Sequence, residues 1–159
     1  MTNLSILGHA FSVHFAIALF VVSAIAYAVS GVSNKYVVAY QSRLIARWGL
    51  WSAAIMMLIT MVFALFAYSA STHDDLSHGL LNEHRLVALF VGFMILILAI
   101  CSLILLRGDK EEGLIFILLS VVAAVALLYV TWTGTLLVFQ HGVGVSHLPD
   151  AQTHQHRTF

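Results

Sequence analysis

Charge is scarce in this chain. Only 9% of its 159 residues are charged, against 61% hydrophobic, whereas soluble domains carry about a quarter charged residues. Between the charges lie four apolar runs, residues 6–29, 48–69, 86–106 and 114–139, each near or above the roughly 20 residues that cross hydrocarbon as a helix. This is the composition of an integral membrane protein. The connections are short, which predicts an all-α, up-down four-helix bundle with no soluble domain. Residues 1–145 are expected to form that transmembrane domain and residues 146–159 a histidine-bearing tail.

Cysteine is nearly absent too. The single Cys101 lies inside the third run, which excludes disulfides, cysteine zinc sites, iron–sulfur clusters and a C-x-x-C-H haem attachment within the chain. Any cofactor must rest on histidine or be held noncovalently. The apolar runs contain no acid, and no Ser-His-Asp constellation, HExxH or phosphate loop is present, so an electron-transfer or complex subunit is a better expectation than a stand-alone enzyme. No Lys/Arg cluster is dense enough for nucleic acid. No Lys or Arg precedes Lys35, and the first run exceeds a typical signal h-region, so it is read as a spanning helix despite small-residue sites at Ala24–Ala28.

The few cations are unevenly placed. Lys35, Arg43 and Arg47 flank the first connection, and Arg107 and Lys110 the third. The other side has Arg85 and Arg157 beside Asp74, Asp75, Glu83 and Asp150. The positive-inside bias then puts both termini and the connection 71–83 on the periplasmic side of a bacterial inner membrane. Segment 33–47 is expected as a short amphipathic stretch at the cytoplasmic interface, and Gly108-Asp109-Lys110 as an ordinary turn with Gly at a helix end.

What the chain does have is histidine. His9 and His14 begin the first run, His73 and His78 follow the second, His84 begins the third and His141 ends the fourth; His147, His154 and His156 follow in the tail. On the predicted topology all nine fall on the outer half. His14, His84 and His141 come from three helices at similar depth, within about one or two turns of the boundary at 1.5 Å per residue. Small residues lie one or two turns below them, Ala18 under His14, Ala88 and Gly92 under His84, and Gly134 before His141. Such residues leave room for a ligand, although they also let membrane helices approach closely.

Neutral imidazole serves iron, copper, zinc and nickel alike. Zinc usually adds Cys or carboxylate, which the helix faces lack, and Met56, Met57, Met61 and Met94 form no outer cluster for copper(I). Haem b asks only for axial histidines, an apolar slot and small neighbours, and four-helix bundles commonly host it. One or two haems are expected, with His14 and His84 as ligands and His9 and His141 serving a second haem or supporting the first. Ser12, Thr131 and Thr133 are candidates to accept the second ring N–H. The alternative is a copper- or zinc-binding, or cofactor-free, membrane accessory subunit. A haem subunit of this kind would work beside a quinone-linked protein, a cytochrome c or a periplasmic dehydrogenase, within the lipid bilayer and with self-association permitted.

The segments "LGHAFSVHFAIAL" (residues 7–19), "EHRLVALFVGF" with His84, and "LLYVTWTGTLLVFQHGVGV" ending at Val145 resemble the DUF2231 family of small bacterial four-helix membrane proteins. That family's pattern opens HP-x-x-VHFPIAL and closes with a Gly-Trp-x-Gly-Gly helix running into Y-x-HGVGV. The resemblance implies that its histidines fall on His9, His14, His84 and His141. It also implies an analogy to membrane b-type cytochromes. Ala10 and Ala16 replace the family's two prolines, Thr131 and Thr135 its outer glycines, and Phe139 its tyrosine.

Overall fold

A computed structural model of the chain describes residues 2–70 and 78–142. His73, Asp74 and Asp75, the tail with His147, His154 and His156, and the His78 side chain lie outside the described residues. Four helices make up the fold: α1 Thr2–Val32, α2 Tyr36–Ala70, α3 His78–Arg107 and α4 Leu114–Phe139. All four are long and apolar enough to cross a bilayer. A helix satisfies its own backbone hydrogen bonds, which is what makes it stable in lipid. The protein is a multi-pass membrane protein.

Each helix packs against two neighbours, in the cyclic order α1, α2, α3, α4, so α1 faces α3 and α2 faces α4 across the diagonals. One end of the bundle gathers the start of α1, the end of α2, the start of α3 and the end of α4; it is called the terminal end below. Buried positions on α4, beginning with the adjacent Phe116 and Ile117, continue through Ser120, Ala123, Leu127, Val130, Thr133 and Leu137 at steps of three or four residues and form its inner stripe. The opposite face is apolar as well, with Val125 and Trp132 well exposed, as suits a helix bordered by lipid.

The α1–α2 pair is the tightest. Ala16, Ser23 and Ala24 on α1 and Ala46 and Ala53 on α2 are buried, and small residues of this kind let helix backbones approach closely. Ser23 Oγ donates to the Ala46 carbonyl at 2.7 Å. A Cβ on Gly49 would lie 3.1 Å from Ser23 Cβ and 3.3 Å from the Leu19 carbonyl oxygen, where backbone rather than a mobile side-chain end blocks it. Gly49→Val is therefore expected to lower stability by about 1–3 kcal/mol, measured as a lower melting temperature in detergent. An unchanged melting temperature would mean that the two helices separate freely.

One local expectation is corrected. Segment 33–47 is not a separate interfacial stretch, because α2 starts at Tyr36 and runs through it; nothing between Tyr36 and Trp48 breaks a helix, and Arg43 and Arg47 find acidic partners in Glu111 and Glu112. The expected turn Gly108-Asp109-Lys110 follows α3 directly, and its left-handed residue is Asp109, with φ of 51°. Lys110 N–H bonds the Leu105 carbonyl at 2.9 Å and Asp109 N–H that of Leu106 at 3.2 Å, a Schellman closure that satisfies the last carbonyls of the helix.

Candidate functional site

Near the terminal end the four helices stand apart around a cavity of about 250 Å³. His9 and Ala10 of α1, Met61 and Ala64 of α2, His84 and Ala88 of α3, and Gly134 and Leu137 of α4 contribute to its wall. No acid lines it. Leu65, Arg85 and Val138 also border it and are exposed, so the cavity opens at the bundle surface. Its volume lies just below the roughly 300–1,000 Å³ typical of small-molecule sites.

Two imidazoles share this cavity, one from each helix of a diagonal pair. His84 is half-buried, and its Nδ1 lies 2.9 Å from Thr133 Oγ1. The single hydroxyl proton of Thr133 is directed to the Val130 carbonyl at 3.0 Å, so Oγ1 is left to accept from Nδ1–H. In that arrangement Nδ1 carries the ring proton and Nε2 the lone pair. The ring rests on Gly134, where a Cβ would come within 3.1 Å of His84 Cε1. A Cβ there would make the imidazole give way by a few tenths of an ångström.

His9 is held in the same sense but more loosely. Its Nδ1 lies 3.4 Å from the Thr60 carbonyl oxygen, which accepts the ring proton. Around it hydroxyl contacts tie α1 to α2: Thr60 Oγ1 lies 2.8 Å from the Met56 carbonyl oxygen and 2.9 Å from Ser12 Oγ, which in turn lies 3.2 Å from the His9 carbonyl oxygen. Among the described residues neither Nε2 has a hydrogen-bond partner. Ring N–H to a protein acceptor with the other nitrogen open is the arrangement of a ligating histidine.

The other expected histidines stand elsewhere. His14 is exposed on the outer face of α1, its Nδ1 bonded to the Ala10 carbonyl of its own helix, and His141 is exposed beyond the end of α4. The pair that borders one cavity is thus His9 with His84, not His14 with His84. Among the small residues, Ala88 and Gly134 border the cavity, Gly92 is filled over by Met57 and Met61, and Ala18 faces outward with His14. Of the three hydroxyls considered for orienting rings, Thr133 holds His84, Ser12 braces the backbone of His9, and Thr131 bonds its own helix at Leu127.

Chemically, this is a site for a group that needs little from the protein. No set of three or more His, Cys, Asp or Glu converges among the described residues, so a tetrahedral zinc site of the usual kind is not built there. A planar group carrying its own equatorial donors would need from the protein only imidazole nitrogens beside an apolar slot, and His9 and His84 would supply them. Sequence reasoning missed Arg85 and Tyr68, which meet at the mouth with the guanidinium 4.5 Å from the ring centroid.

No curated protein and no solved structure matches the chain. A family model described as "Predicted membrane protein (DUF2231)" matches residues 8–147, a span that takes in His9, His84, Thr133 and Gly134, and the chain belongs to that family.

Proposed function

We propose that this chain is a membrane-embedded b-type cytochrome, an electron-transfer subunit holding one haem b between His9 and His84. The observation that carries the reading is the pair itself: two imidazoles on diagonally opposed helices border one apolar cavity, and each is tied through Nδ1 to an acceptor. Haem, when bound, supplies a one-electron carrier whose potential is tuned by its axial ligands and its burial. The residues of the chain do the rest. Thr133 and the Thr60 carbonyl keep each Nε2 available, Gly134 seats the His84 ring, and Ala88 and Leu137 keep water from the interior.

The five cations Lys35, Arg43, Arg47, Arg107 and Lys110 belong to the opposite end of the bundle. That asymmetry supports a bacterial inner-membrane protein with its terminal end, and so its haem, on the periplasmic side. A single site near one face does not carry electrons across the bilayer. It calls for a partner on that side, such as a cytochrome c, a periplasmic dehydrogenase or a quinone-linked protein.

Protein purified from haem-producing cells is expected to show a Soret band, sharp α and β bands after dithionite, and one haem per chain in a pyridine haemochrome assay. A colourless protein with stoichiometric copper or zinc, or with no cofactor, would overturn this in favour of a metal-handling or purely accessory subunit.

A further inference from the structure

The mouth of the cavity holds a charge that the haem reading leaves unused. Among the described residues Arg85 is the only Lys or Arg in the terminal half of the bundle, and it borders the same cavity as His9 and His84. Its guanidinium lies over the Tyr68 ring at 4.5 Å. This contact spans the α2–α3 seam and holds one face of the cation, and among the described residues no hydrogen bond to its N–H edges is seen.

The nearest acid in sequence does not neutralise it. Glu83 is two positions away, and residues so spaced point to different sides of a helix; its carboxylate accepts from Tyr129 of α4 at 2.6 Å. Arg85 makes no ion pair among the described residues. An otherwise apolar cavity with a planar five-donor cation at its opening is matched to a ligand that is apolar through most of its body and anionic at one edge. A carboxylate meets that fork with two parallel N–H···O bonds.

We propose that Arg85 is the carboxylate receptor of this site and sets which edge of the bound porphyrin faces the mouth. This rests on the haem reading, because haem b carries its two carboxylates on one edge while the rest of its periphery is apolar. Arg85 then acts as a binding and orienting residue, and its contribution belongs to the carboxylate alone.

The test compares haemin with haemin dimethyl ester, which keeps the iron and the ring but has no carboxylate. Apoprotein in nanodiscs is titrated with each, following the Soret band, for the native chain, Arg85→Leu and Arg85→Lys. The native chain should bind haemin about 10-fold or more tighter than the ester, in line with a charge-assisted pair. Arg85→Leu should abolish that preference while leaving ester affinity unchanged, and Arg85→Lys should keep part of it. Equal affinity for the two porphyrins in the native chain, or a preference that survives Arg85→Leu, overturns the proposal and leaves the haem reading standing. Equal loss of both ligands in Arg85→Leu also overturns it, since only a structural role moves both. If neither porphyrin binds the native chain, the haem reading itself has failed and the assignment of Arg85 goes with it.

Discussion

His9→Ala and His84→Ala are each expected to remove the low-spin haem spectrum, whereas His14→Ala and His141→Ala leave it intact. Outer-sphere partners of a ligating histidine already contribute about 10–100-fold to affinity, so loss of an axial nitrogen should cost at least that much. His84 should be the more sensitive of the two, because Thr133 and Gly134 fix its ring at close range, while the His9 contact to Thr60 is long at 3.4 Å. A structural role is separated from ligation by His84→Gly: free imidazole added to that variant should enter the vacated space and restore the bands. If the bands vanish in His14→Ala and persist in His9→Ala, the axial pair is His14 with His84 and the cavity described above is not the haem site.

The choice between His9 and His14 shows where the sequence is readable and where it is not. Four helices can be read from residues 6–29, 48–69, 86–106 and 114–139 because charges are confined to the breaks between them, and the observed helices contain all four runs. Depth is readable for the same reason. Azimuth is harder, since both histidines are set among apolar residues, yet five positions turn the helix by about 140°, so only one of them can face inward. The usable signal lay in the hydroxyls. Ser5, Ser12, Ser23 and Ser30 are all buried, and His9 lies four residues after Ser5 and three before Ser12, on the same face. His14 lies with Phe11, Phe15 and Ala18, which are exposed. In lipid the small and polar residues mark the interior and the bulky apolar ones the outside, the reverse of the intuition that serves soluble helices. Thr133 was readable as a partner for a ring nitrogen because it lies on the final helix at histidine depth. Arg85 and Tyr68 were not, because their meeting depends on how α2 and α3 sit side by side.

At the opposite end of the bundle, Glu112→Ala is expected to lower stability by about 3–5 kcal/mol, the usual cost of leaving a buried charge without its partner. Glu112 lies two residues after the turn Gly108-Asp109-Lys110 in sequence, yet the residue is only 3% exposed. Arg47 donates to both of its carboxylate oxygens, Nε at 2.7 Å and Nη2 at 3.0 Å. Ser102 Oγ donates at 3.0 Å and Tyr27 OH at 3.3 Å, and Arg43 Nε stands 3.8 Å away. One carboxylate thereby joins α1, α2 and α3 to the turn that leads into α4. Alanine would leave the Arg47 guanidinium, which is itself largely buried, with only the Lys110 carbonyl at 3.5 Å, and would free Tyr27 and Ser102 from their shared acceptor. Glu112→Gln keeps the shape and loses the charge, so it should fall between the native chain and Glu112→Ala in thermal unfolding followed by circular dichroism in detergent. The sign of a double substitution decides whether the pair stabilises the fold or merely must not be broken: Glu112→Leu with Arg47→Leu should be less destabilised than Glu112→Leu alone, because removing both charges leaves neither uncompensated. Additive losses in the double variant would instead mean that Arg47 and Glu112 each act through separate partners. An unchanged melting temperature for Glu112→Ala would show that water reaches the cluster and that the carboxylate holds nothing together.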